Sequence, residues 1–177
     1  MSANASEGAS APLVTLYMGE GAEAEVARRW PDEPRAELTE TAPRPAGRVY
    51  LYNCLQRLGR GKALGLLQFA ASFLARDGEL HVVVPSFDFV VDELARGHEC
   101  PAWPFLVHGP QDDEHGYFLS AWDIPSLRSY LNQVGCVVVQ AKALPASMRL
   151  YGLQGEEEEA IVKYNHVVGV KYGADTE

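Results

Sequence analysis

The sequence predicts an α/β domain on a mostly parallel sheet, with helices on both faces and a C-terminal antiparallel hairpin strand. Three observations lead there. Short apolar runs alternate with helical stripes between residues 13 and 139, the order of linked strand–helix–strand units. Residues 80–84 are apolar apart from His81, as in a strand covered on both sides within a parallel sheet. Residues 148–172 lose the helical period, and Gly155 and a glutamate run divide two extended segments, which reads as a hairpin.

The elements follow in order. Residues 1–12, rich in Ala, Ser and Gly, read as a disordered tail, and one domain spans residues 13–177. A first strand over 13–18 runs straight into Gly19-Glu20-Gly21. A helix over 22–30 places Val26 and Trp30 one turn apart, and Pro31 and Pro34 stop it. Residues 36–41 form a brief strand, and Pro43, Pro45 and Gly47 mark a turn. The next strand, 48–54, centres on Val49-Tyr50-Leu51-Tyr52.

After Gly59 and Gly61 comes the clearest helix. Leu64, Leu67, Ala71 and Leu74 make one stripe, and Leu66, Phe69 and Phe73 widen it, as on a helix packed on a sheet and partly covered from the side. Asp77-Gly78 turns the chain into the 80–84 strand, which ends at Pro85. Residues 87–95 form a short helix stopped by Gly97. Residues 98–119 show no period and carry Pro101, Pro104 and Pro110; so long a connection is uncommon unless functional or flexible. Asp123 reads as the N-cap of a helix with the stripe Leu127, Tyr130, Leu131, Val134, and Gly135 suits its stop. Residues 137–139 read as a buried strand. The second hairpin strand, 161–170, is expected at the sheet edge, with Glu156, Glu157, Glu158 and Glu159 at a solvated tip.

The formal charge of −9 over 177 residues disfavours nucleic acid and anionic membrane as partners, since such affinity comes from Lys and Arg neutralising phosphates. Three cysteines, Cys54, Cys100 and Cys136, are too few and too widely spaced for a disulfide framework or a metal knuckle. With no basic flank and apolar stretch at the start, the expected location is cytoplasmic.

The stretch Val49-Tyr50-Leu51-Tyr52-Asn53-Cys54-Leu55-Gln56-Arg57-Leu58 resembles the fourth-strand motif of small class I S-adenosylmethionine-dependent methyltransferases of the methyltransferase-type-11 kind. Leu74-Ala75-Arg76-Asp77-Gly78-Glu79-Leu80 and Val84-Pro85-Ser86-Phe87-Asp88 are similar to that family's turn into its fifth strand and to the strand's end. His108-Gly109-Pro110-Gln111 with His115, and Ser126-Leu127-Arg128-Ser129-Tyr130-Leu131 leading to Gly135-Cys136, resemble segments around its last helix. The resemblance implies a Rossmann-like fold and adenosylmethionine as cofactor, held at Gly19, Gly21, Tyr52 and Asn53. It implies Glu37 or Glu40 as acceptor for the ribose hydroxyls, and no metal. It implies a small-molecule or protein methyl acceptor facing a pocket that includes His115 and Tyr117; a surface cluster is the plainer reading of those two.

The chain departs from the pattern in three places. Glu20 and Glu23 put negative charge where the ligand carboxylate would lie; one like charge at ~4 Å costs about 4 kcal/mol at an effective dielectric of 20. Residues 22–47 leave room for about one helix and one strand, where the full fold has two of each. Gln56 and Arg57 replace an acid and an imidazole, and a guanidinium cannot take up a proton. His98, Cys100, His108 and His115 are metal-ligand types, but their irregular spacing favours a solvated loop. Trp103 and Phe105 suit a lid or a contact patch. No Gly-x-Ser-x-Gly elbow supports a hydrolase.

Two functions stay open. One is an adenosylmethionine-dependent methyltransferase working by positioning its acceptor. The other is a pseudoenzyme that keeps the fold as a binding subunit or structural component, in a homo- or hetero-oligomer.

Overall fold

The computed structural model describes residues 14–97, 107–109, 117–151 and 157–172, with side chains for all of these except 146–151 and 157–161. The elements are β1 (Val14–Met18), α1 (Ala22–Arg29), β2 (Arg35–Glu37), β3 (Ala46–Tyr52), α2 (Arg60–Phe73), β4 (Leu74–Pro85), α3 (Phe87–Ala95), α4 (Ile124–Gln133), β5 (Cys136–Tyr151) and β6 (Glu157–Lys171). They form one six-stranded sheet in the order β2-β1-β3-β4-β6-β5. The first four strands are mutually parallel; β6 runs antiparallel to β4, and β5 antiparallel to β6.

Strand periodicity gives the sheet two unlike faces. Leu16, Val49, Leu51, Leu80, Val82, Val84 and Val167 point one way and pack with Ala63, Leu67 and Ala70 of α2 and Leu127 and Leu131 of α4, all fully buried. Each large side chain there contributes roughly 1.5–3 kcal/mol. Their neighbours point the other way, in rows set by strand register: Thr15, Arg48 and Glu79; then Tyr17, Tyr50 and His81; then Tyr52, Val83 and His166. Helix α1 covers part of this polar and aromatic face through Ala22 and Val26.

Local signals set the helix ends. Ser86 caps α3 by accepting from the Phe89 amide, and Asp123 caps α4 by accepting from the Ser126 amide at 2.8 Å. Gly135 leaves α4 at φ +76°, a backbone shape that glycine adopts without strain. No helix among the described residues is long and apolar enough to cross a membrane.

Five expectations are corrected. Strand β3 starts at Ala46, inside the expected turn. Strand β4 starts at Leu74, so Asp77-Gly78 is a kink within it: Asp77 has φ +60°, and the β3–β4 register shifts between Ala46 and Arg48. Val137 and Val139 are exposed by 49% and 58%, because β5 is the outermost strand and one side of it faces solvent. The hairpin strands run 16 and 15 residues, and β6 lies inside the sheet. The apolar 166–170 segment needs partners on both edges, whereas Gln140 and Lys142 suit the edge position of β5. Glu157, Glu158 and Glu159 pair with Tyr151, Leu150 and Arg149 in the ladder rather than forming a tip. The expected tail, Trp103, Phe105, His98, Cys100 and His115 lie outside the described residues.

Candidate functional site

With β2 and β3 on opposite sides of β1, the chain changes winding direction at the tips of β1 and β3. In open parallel sheets such a switch point is where ligands bind. The structure brings Gly19, Gly21, Tyr52 and Asn53 together there. Glu37 ends β2 beside Tyr17, within reach of the same edge, and both Glu37 and Glu40 are exposed.

Gly19 has φ +110°, and a Cβ built on it would lie 1.7 Å from the Tyr52 carbonyl oxygen. Only glycine fits, and the space it frees is taken by the protein's own backbone. Gly21, at φ +77°, meets just the Tyr52 ring edge at 3.8 Å. Beyond the glycines, Glu20 reaches across the switch point to Arg57 at 3.4 Å. Burial, together with Glu23 and Glu37, raises the Tyr17 phenol, so carboxylates gather at the strand tips.

The tip of β3 is also occupied from within. Asn53 adopts φ +53°, its amide donates to the Val83 carbonyl at 2.8 Å, and its side-chain oxygen accepts from Gln56. The Gln56 carbonyl accepts from the amides of Leu119 and Ser120, and the Ser120 hydroxyl donates to Leu58 at 2.8 Å. The returning chain therefore seals the turn at Leu55–Arg57. Gln56 is buried, and its Oε1 has no partner. Tyr117 is half exposed near this return. Burial pushes the half-buried Cys54 thiol up to about 12, leaving no thiolate for nucleophilic chemistry.

Adenosylmethionine fits this edge only in part. Gly19, Gly21 and Glu37 stand at adjacent strand tips, as a methionine loop and a ribose acceptor would. Against that, Tyr52 fills the Gly19 cradle, Glu20 and Arg57 bridge the opening, and one helix and one strand stand between β1 and β3. Among the described residues, no further strand extends the sheet beyond β2 to wall an adenine pocket.

A second constellation lies on the α1 face, and the sequence reading missed it. Arg48 donates to Glu33, which also accepts from Thr15 at 2.8 Å, and to Glu79 at 2.7 Å. Glu79 pairs with His81 Nε2 at 3.1 Å, and His81 Nδ1 lies 3.1 Å from His166 Nε2. The hydrogen bond from His81, helped by Arg48, holds the Glu79 carboxyl at about 2. Burial, then the neighbouring His81, pushes His166 down to about 3, so it stays neutral. Tyr50 packs against Trp30, His81 and His166, with the Arg29 guanidinium 5.6 Å from its ring centre. The available signal was a pair of polar residues two apart at the border of each apolar run, Glu79 and His81 in β4 and Tyr164 and His166 in β6. Among the described residues no three His, Cys, Asp or Glu side chains are grouped to hold a metal.

The sequence matches no protein-family model and no curated relative. Solved structures do match. An O-methyltransferase family protein from Burkholderia thailandensis superposes with TM-score 0.54 at 13% identity; the match covers 92% of this chain but 52% of that one. A SAM-dependent methyltransferase from Anabaena variabilis gives 0.53 at 14% identity, over 92% and 77% of the two chains. A chain from the complex between the Haloferax volcanii Trm112 methyltransferase activator and a protein designated a methyltransferase gives 0.58 at 9% identity, over 93% and 84%. This chain has the class I methyltransferase fold.

Proposed function

We propose that this protein is a methyltransferase-fold binding subunit that does not turn over adenosylmethionine. The observation that carries the reading is the Gly19–Tyr52 contact: the missing side chain makes room for the protein's own carbonyl rather than for a ligand. The Glu20–Arg57 bridge and the single strand beyond β1 point the same way. A partner protein suits this reading, because the fold likeness includes a chain from a complex with a methyltransferase activator. The long β5 edge, with Val137 and Val139 exposed, leaves backbone groups available for such a contact.

A thermal-shift titration tests the reading. A ligand at 100 times its dissociation constant stabilises by about 2.7 kcal/mol, which raises the midpoint of a domain this size by roughly 5–10 °C. The expected result is no shift with millimolar adenosylmethionine or adenosylhomocysteine. A saturable shift overturns it.

The placement of Glu37 at the tip of β2, next to the strand that ends in Gly19, favours a second reading: an adenosylmethionine-dependent methyltransferase with a shortened cofactor half and an unassigned acceptor. In that case Glu37→Gln would abolish the shift while leaving the unliganded midpoint unchanged, since Glu37 is exposed.

A further inference from the structure

The α1 face holds a cleft of about 270 Å³ beside the tip of β3. Helix α1 supplies one side through Glu25, Arg28 and Arg29. Tyr52, Val83 and Tyr164 of the sheet form the floor, and Leu144 and Pro145 of β5 form the rim. The volume lies below the ~300–1,000 Å³ of sites for drug-sized ligands, so it suits a single-ring molecule. The Tyr52 and Tyr164 rings are parallel within 7°, with centroids 6.3 Å apart. Glu25 accepts from both arginines at 2.7 Å. Two guanidiniums against one carboxylate leave one positive charge uncompensated at the mouth.

Two buried polar atoms on this face of the sheet, next to the cleft lining but not part of it, have no partner: the Tyr50 hydroxyl and His166 Nδ1. Their residues are 0% and 2% exposed. His166 is directly opposite cleft-lining Val83 on β4 and two residues from Tyr164 on β6, and Lys142 faces it from β5. The Glu79 carboxylate only accepts, so His81 carries a proton on Nε2, and its Nδ1 shares one hydrogen bond with His166 Nε2. This carboxylate–imidazole–imidazole relay holds the His166 ring in place and leaves its Nδ1 unpartnered. A buried polar atom with no partner is costly, and a ligand hydroxyl, which can donate or accept, entering beside Val83 would relieve it.

We propose that this cleft is a binding site for a small aromatic acid carrying a ring hydroxyl. The acid group meets Arg28 and Arg29, the ring lies against Tyr52 and Tyr164, and the hydroxyl points to the side of the floor where His166 stands opposite Val83. The site shares Tyr52 with the strand-tip crevice and stands whether or not adenosylmethionine binds there.

The test uses the full chain, 4-hydroxybenzoate as probe and neutral 4-hydroxybenzamide as comparator, followed by aromatic and imidazole NMR signals. The expected result is a saturable shift of the Tyr52, Tyr164 and His166 signals with a dissociation constant of about 1 mM, and weaker binding of the amide. Arg28→Gln, at a mostly exposed residue, should weaken the acid about three-fold and leave the amide unchanged. Leu144→Trp, at the half-buried rim, should abolish both. The proposal is overturned if no signal saturates, if acid and amide bind equally, or if the shifts survive Leu144→Trp. A parallel adenosylhomocysteine titration read at the backbone amides of Gly19 and Asn53 reports separately on the strand-tip crevice, so failure at one site is distinguishable from failure at the other.

Discussion

The strands that build one wall of this sheet from leucine and valine build the other from tyrosine, histidine, arginine and glutamate. Val49, Leu51, Val82 and Val84 face α2 and α4; Arg48, Tyr50, Glu79 and His81 face α1. Alternation along a strand lets one segment serve both ends. The apolar wall excludes water and is insensitive to pH. The polar wall holds a continuous network from Thr15 to His166 whose charges are buried or half buried. Such networks contribute little net stability compared with hydrophobic replacements, yet breaking one member is costly. The difference teaches that the α1 face is organised for something other than stability.

The sharpest way to break the comparison is at the tip where both walls end. Gly19→Val would drive a side chain into the Tyr52 carbonyl and force a β-branched residue to φ +110°. The chain should fail to fold, or lose more than about 4 kcal/mol in urea denaturation. Leu51→Ala on the apolar wall should cost about 2–5 kcal/mol, equally at pH 5 and pH 8. His81→Leu on the polar wall should cost about 3 kcal/mol by stranding Glu79 and His166. Replacing Glu79, His81 and His166 together with Gln, Leu and Leu should restore most of that loss.

Acid sharpens the same contrast. His166 titrates near 3 in the fold against 6.5 unfolded, so its stabilising effect is complete above 6.5 and is lost as pH falls toward 3. Glu79, at about 2 against 4.5, adds a further loss below 4.5. Stability should therefore decline from about pH 6.5 downward, and His166→Asn should flatten the decline between 6.5 and 4.5. The smallest effect is expected at Glu20→Gln. The Glu20–Arg57 pair is exposed on the Glu20 side, so its loss should change stability by less than about 1 kcal/mol.

Much of the fold was legible because local signals and tertiary packing agree. The run from β1 into Gly19, the broad stripe of α2, the Asp123 cap and the Gly135 stop each act within one turn of chain. The pairing of the Val49 and Leu80 strands followed from the helix between them. The edge position of β5 was not legible, because Val137-Val138-Val139 looks the same in a central strand. The relay was hidden for a different reason. His81 and His166 stand 85 residues apart, and nothing local to Glu79, His81 or His166 says that their strands pair through one register. Of the expected cofactor residues, Gly19, Gly21, Tyr52 and Asn53 do converge. What sequence could not show is that Gly19 yields its space to Tyr52, since that depends on the height at which two strand tips meet.

The central claim is that the strand-tip crevice is filled by the protein itself. A titration of the uniformly ¹⁵N-labelled chain with adenosylhomocysteine, read at the backbone amides of Gly19, Gly21 and Asn53, addresses it most directly. The account predicts that these three signals stay in place up to millimolar ligand. Saturable movement of all three with one dissociation constant would contradict it.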